Sequence, residues 1–216
     1  MPARYVQRLE RRSGGFVDAV VSEGTQADAR YWHHEVKSYI APRRLDSKWN
    51  WPRMVPWYQL IERIRNRHAV FLKVSSATSS GHAFPIGQLL LSDGYPFFPD
   101  ARNERCVLLL YLAAAPAAAL SAHGLPTDLK IMRPLVDTAI QFSFDRGYDG
   151  RMTLHAAKGA GGQQDRDLYD KYKTGCKLKS FRKGRKVALV RPNDGRYFYV
   201  DEGLAVQLTA DLNYLR

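Results

Sequence analysis

Side chains able to move a proton, pack a ring or hold an anion are spread unevenly over these 216 residues. His155 stands in an apolar run, Met152 to Ala157, where an imidazole of pKa about 6.5 is partly free base at neutral pH and can take a proton. A hydrogen-bonded structural histidine would look the same. Asp93 and Glu104 are further candidate bases, in loop-like surroundings where carboxylates are mostly solvated. Three of the four tryptophans, Trp49, Trp51 and Trp57, crowd among prolines and cations between Lys48 and Tyr58, a composition that also suits a small satellite core. The segment Lys171 to Arg191 holds nine Lys or Arg and no acidic residue, interleaved with Tyr172 and Phe181, which describes either a solvated face or a track for a phosphate backbone. His33-His34-Glu35 has the composition of a metal site, but adjacent helical histidines point apart, and no metal is expected there.

The wider composition sets the setting for these groups. With 45% hydrophobic and 25% charged residues the chain has the make-up of a globular protein, which excludes disorder, collagen and repeat arrays. A net charge of +12 attracts polyanions: nucleic acid, an anionic membrane or phosphorylated small molecules. Cys106 and Cys176 form no C-x-x-C or Cys/His cluster, so a reducing, cytoplasmic location is the expectation. Met1 to Glu10 shows no apolar signal region. Cys106 to Ala122 is uncharged but short of the roughly 20 residues of a membrane span and broken by Pro116, so its front half reads as a buried strand.

Periodicity then places the elements. A strand or hairpin at Phe16 to Val21 follows the turn Ser13-Gly14-Gly15. Helices are expected from Thr25 to Ile40, with Thr25 as cap, and from Trp57 to Asn66, with Leu60, Ile61 and Ile64 inward. Strands follow at His68 to Val74, Ala83 to Leu91 and Cys106 to Leu112. A helix capped by Thr127 or Asp128 runs to Asp145, with Ile131, Leu135, Val136, Ile140 and Phe144 on one face and Pro134 perturbing its start. Met152 to Ala157 returns as a strand, Gly159 to Gly162 links to a helix over Gln163 to Tyr172, and strands at Lys186 to Val190 and Tyr197 to Val200 turn at Asn193-Asp194-Gly195. This order gives one mixed α/β domain spanning residues 1–216.

The order of elements, with Asp145 to Ala157 (DRGYDGRMTLHAA), Leu168-Tyr169-Asp170-Lys171 and Pro85-Ile86-Gly87-Gln88-Leu89, resembles the GNAT superfamily of acyl-CoA-dependent N-acyltransferases over residues 68–180. The resemblance implies a mostly antiparallel mixed sheet flanked by helices and splayed between the fourth and fifth strands. It implies acetyl-CoA or another acyl-CoA as co-substrate and an amine as acceptor. The family loop that receives the CoA pyrophosphate aligns with Ser121 to Pro126, where Gly124 fits, Ser121 replaces the usual basic or amide residue, and Pro126 lacks an N–H. Lys130 and Arg133 lie one turn further, and Ala113, Ala114 and Ala115 leave room for a pantetheine arm, although alanines also pack under helices.

In this resemblance Tyr169 corresponds to the tyrosine that protonates the leaving thiolate, since a phenol of pKa about 10 keeps its proton at neutral pH. His155 would deprotonate the incoming amine. Trp49, Trp51 and Trp57 would line the acceptor entrance, stacking on a base, sugar or acyl chain. Lys171 to Arg191 would hold the 3′-phosphate of CoA or an RNA-linked acceptor such as the amino group of a charged tRNA. The degenerate loop supports a reading of another class, a basic domain that binds nucleic acid without catalysis.

Overall fold

Hydrophobic alternation and two glycine-bearing turns build most of the molecule from adjacent hairpins. The computed structural model describes residues 5–99, 104–157, 163–181 and 194–216. The expected linker Gly159 to Gly162 and strand Lys186 to Val190 lie outside them. β1 (Tyr5–Glu10) and β2 (Phe16–Glu23) form the first hairpin, turning through Gly14 and Gly15 at φ +93 and +81. α1 (Gln26–Glu35) and α2 (Trp51–Ile64) lead to β3 (His68–Ala77), β4 (Ala83–Pro96) and β5 (Arg105–Ala114). After the short α3 (Ala117–Ala122) come α4 (Met132–Asp145), β6 (Met152–His155) and α5 (Gln163–Asp170). A π-helical segment Lys171–Gly175, β7 (Lys179–Ser180), β8 (Tyr197–Val200) and α6 (Glu202–Asp211) complete it.

All these strands join one eight-stranded sheet in the order β1-β2-β3-β4-β5-β6-β8-β7. Every pairing is antiparallel except β5 with β6. The mixed, mostly antiparallel, helix-flanked sheet expected from the sequence is present, with eight strands. β1 moves the count by one, so the expected splay falls between β5 and β6. These two pair only at Val107 to Leu109 with Met152 to Leu154, after which β5 continues alone on that side to Ala114. The two faces of the sheet carry different helices. Gly87 sits so close under α4 that an added Cβ would lie 2.6 Å from Leu135, whereas Lys73, paired with the neighbouring Gln88, reaches Asp28 of α1 on the other face.

Several elements depart from the sequence expectation for local reasons. α1 has the expected Thr25 cap, completed by Asp28 into a capping box, but ends at Glu35. α2 starts at Trp51, capped by Asn50, rather than at Trp57, and contains Pro56. Pro56 has no N–H for the carbonyl of Pro52, four residues back, and Gln26 Nε2 of α1 donates to that oxygen at 2.6 Å instead. The inward face is formed by Trp51, Val55, Tyr58 and Glu62. Leu60 and Ile64, expected inward, are 51% and 73% exposed. α4 begins at Met132, not at Thr127 or Asp128, because Asp128 is engaged elsewhere, accepting from Ser13 N and Arg11 Nε at the β1–β2 turn. Pro134 in its first turn lacks only an N–H that has no helical partner there. Asp93-Gly94, expected as a loop, continues β4 with an irregular register, Gly94 taking φ +76. Cys106 to Ala122 is β5 followed by α3, and among the described residues no helix is long and apolar enough to cross a membrane.

Candidate functional site

The pairing of β5 sets the geometry. Leu109 and Tyr111 oppose Leu91 and Leu90, leaving Leu110 as a bulge with no partner on β4. The bulge and the end of β6 pairing coincide, so the backbone of β5 opens into the gap. A cavity of about 1450 Å³ fills the gap and is lined from both faces of the sheet.

On the α4 face its wall includes Arg12, Lys130, Ile131, Met132, Arg133, Tyr172 and Cys176. Ile131 caps α4 without a side-chain hydrogen bond, so the first-turn N–H groups point out of the helix with no cap. Lys130 Nζ donates to Glu10 Oε1 at 2.8 Å, a bond that holds the Glu10 carboxyl below its usual range. Arg133 Nη2 lies 3.5 Å from Asp211, while its buried Nε has no hydrogen-bond partner. Tyr172, only 7% exposed, packs its ring 5.7 Å from Phe198 and makes no hydrogen bond among the described residues. Burial pushes its phenol pKa up, so it stays protonated. Burial also lifts the Cys176 and Cys106 thiols to about 12, which removes both as nucleophiles at neutral pH.

On the α1 and α2 face the wall includes Arg44, Asp46, Trp49, Tyr58, Glu62 and Arg67. Arg44 grips Asp46 through Nε at 2.9 Å and Nη2 at 2.6 Å, and also donates to the Ala114 carbonyl at 3.0 Å, pinning the loop before α2 to the free end of β5. The Tyr58 and Tyr111 hydroxyls share a hydrogen bond of 2.8 Å, and the Trp49 ring meets Tyr111 edge-on at 4.9 Å. Burial opposes ionisation of Glu62, but Ser92 and Arg67 donate to it and hold its carboxyl below the usual range. His155 lines the cavity at the end of β6; its Nε2 lies 3.0 Å from Asp194 Oδ2 and its ring 4.3 Å from Tyr197. For Asp194 the cost of burial is outweighed by the His155 hydrogen bond and the Arg196 N–H, and its pKa is lowered.

Of the residues singled out in the sequence, Ala114, Lys130, Arg133, Trp49 and His155 line this cavity. Ala113 is buried opposite Gln88, and Trp51 is core against Phe71; neither is on the wall. Trp57 is 58% exposed on the outside of α2. Ser121 and Gly124 lie off the wall, Gly124 taking φ +68 beside Ser79 of the β3–β4 hairpin. Tyr169 is half-buried, 4.9 Å from Phe198 and under the Lys173 ammonium, and is not a lining residue. Asp93 and Glu104 face Arg146 and Arg151 at 3.4 and 3.6 Å, away from the cavity. The His33 and His34 rings stand at 90°, and among the described residues no group of three His, Cys, Asp or Glu could hold a metal. In the basic run, Lys171 lines the cavity, Lys177 and Lys179 pair with Asp211 and Asp201, and residues 182–191 lie outside the description. Sequence reasoning missed Tyr172, Arg44 and the Tyr58–Tyr111 pair; only Tyr172 carried a signal, as an aromatic inside the cationic stretch.

The chain matches no protein-family model and no curated protein. Its fold is shared with a solved structure, an uncharacterized protein from Bacillus halodurans, at TM-score 0.53 and 12% identity, covering 99% of this chain and 96% of that one. A chain of the KacTA–DNA complex aligns at TM-score 0.44 and 11% identity, over 97% of this chain and 99% of that one. A chain of AtaTR bound with AcCoA aligns at 0.42 and 12%, over 88% and 97%.

Proposed function

We propose that the chain is an acyl-CoA-dependent N-acyltransferase. The observation that carries this reading is a single cavity running between β5 and β6, with an uncapped helix terminus and cations on one face and a histidine and aromatics on the other. The acyl-CoA enters on the α4 face. Its phosphates take the first-turn N–H groups of α4 with Lys130, Arg133 and Arg12, a set in which the unpartnered Arg133 Nε suits an anion. The thioester lies along the free stretch of β5, where the bulged Leu110 peptide supplies a donor for the carbonyl oxygen.

The acceptor amine approaches from the α2 face. Its nitrogen attacks the thioester carbon, the C–S bond breaks as the amide forms, and His155, oriented by Asp194, takes the amine proton. Tyr172 gives its proton to the departing thiolate. This assigns to Tyr172 the role that sequence resemblance assigned to Tyr169, because Tyr172 is a lining residue of the cavity and Tyr169 is not. The net charge of +12 favours an acceptor carried on an anion, such as an RNA-linked amine.

Thermal melting with acetyl-CoA tests the reading. At about 100 times its dissociation constant the ligand adds about 2.7 kcal/mol of apparent stability, and the melt shifts upward. No shift at millimolar acetyl-CoA sinks the proposal and leaves the nucleic-acid-binding reading, for which affinity must fall steeply with salt.

A further inference from the structure

We infer that the outer face of α2 docks an acidic amphipathic helix of a partner protein. α2 is apolar on two sides. Trp51, Val55 and Tyr58 face the sheet, while Trp57, Leu60 and Ile64 stand outward at 58%, 51% and 73% exposure. Their i, i+3, i+7 spacing makes one continuous ridge about 10 Å long, the form in which helices pack against helices. A ridge of large apolar side chains left in water has no structural role in the isolated chain, whereas covering it removes its apolar surface from solvent.

Charge selects the occupant. The one carboxylate of α2, Glu62, is 2% exposed and is held by Arg65, Arg67 and Ser92 on the inner side. The outer surface of the helix therefore carries no negative charge. Lys48, Arg53 and Arg63 are exposed there or just ahead of it and form no ion pair among the described residues. A partner helix with a Leu-type apolar stripe and Glu or Asp along its flanks matches both features. A second copy of this chain does not: an isologous contact through α2 brings together two outer helix faces that both carry only positive charge, and like charges across an interface are costly. The inference is independent of the acyltransferase reading, although Tyr58 and Glu62 place the cavity directly behind this helix.

The test titrates a fluorescein-labelled synthetic amphipathic helix of about five turns, with Leu on one face and Glu on the other, into the full chain and follows anisotropy. A matched peptide with Lys in place of Glu is the control. The Glu peptide is expected to bind about tenfold or more tightly than the Lys peptide, to weaken about tenfold with Ile64→Glu and with Leu60→Glu, and to lose its advantage with Arg53→Glu plus Arg63→Glu. These exposed positions leave the melting temperature near that of the parent, and Ile64→Ala, which adds no charge, is expected to weaken binding in the same direction. Equal affinity for the two peptides, or no binding of the Glu peptide up to about 1 mM, overturns the inference. A dimer of the chain in sedimentation equilibrium that Ile64→Glu dissolves also overturns it, by giving the face to a second copy.

Discussion

Two tyrosines one helical turn apart have different surroundings, and kinetics will separate them. Tyr172 meets the cavity with no hydrogen-bond partner among the described residues, whereas Tyr169 packs on Phe198 under Lys173. Tyr172→Phe is expected to lower turnover by about 10²-fold or more while leaving acetyl-CoA affinity close to the parent value, since only a proton donor is removed. Tyr169→Phe is expected to leave turnover near that of the parent; steady-state rates with both variants decide which phenol acts. His155→Ala is expected to abolish the base, with added imidazole restoring part of the rate. A variant that imidazole does not restore would make His155 a structural partner of Asp194. Leu168-Tyr169-Asp170-Lys171 resembles a family motif, and the π-helical segment Lys171–Gly175 that follows it carries Tyr172 to the cavity wall.

At the scale of elements, helix phase was the hardest property to read. Leu60 and Ile64 are apolar at helical spacing, so periodicity assigned them inward, yet Trp51, Val55 and Tyr58 are equally periodic and took the sheet. A helix with two apolar stripes has no unique inward side until it meets its neighbours. The early start of α2 depends on Gln26, whose amide satisfies the carbonyl freed by Pro56. Gln26→Ala is expected to destabilise the fold by about 1 kcal/mol, read as a lower midpoint in urea with an unchanged slope. Gly150 is more demanding. It sits at φ +75, and an added Cβ would lie 2.4 Å from Ala205 Cβ and 2.7 Å from Phe144 Cζ. Gly150→Ala combines left-handed strain of about 1–2 kcal/mol with overpacking of about 1–3 kcal/mol, a loss the same urea titration measures.

For the whole molecule, acid is the informative stress. Burial raises the carboxyl pKa of Asp28, Asp194 and Asp201, but hydrogen bonds from Lys73, His155 and Lys179 prevail and all three are lowered. Hydrogen bonds from Lys177 and Ser13 likewise lower Asp211 and Asp128. A carboxyl lowered on folding adds stability that is present above its unfolded pKa of about 4 and is lost as pH falls through its folded value. Asp137, raised by burial against the pull of Arg216, has the opposite sign: its contribution is present below the unfolded pKa and fades as pH rises. The lowered group is the larger, so the melting temperature is expected to hold above about pH 4 and to fall below it. A flat profile down to pH 2 would show that these ion pairs contribute nothing.

The sequence by itself determined what is local: strand and helix types, the Thr25 cap, the glycine turns, the cationic balance and the mixed α/β order. These follow from backbone preference and from the alternation of polar and apolar residues over a few positions. Tertiary structure decided the rest. The cavity opens where β5 and β6 part, and its wall draws on residues as distant as Arg12, Arg44, His155 and Tyr172. Ser121 lies within α3 and Gly124 stands beside Ser79, both off the cavity wall, while the uncapped start of α4 lines it. Which N–H groups stay open, which phenol meets the gap and which stripe of α2 stays in water depend on contacts between segments far apart in the chain. Residue type and spacing carry no record of those contacts, and packing supplies it.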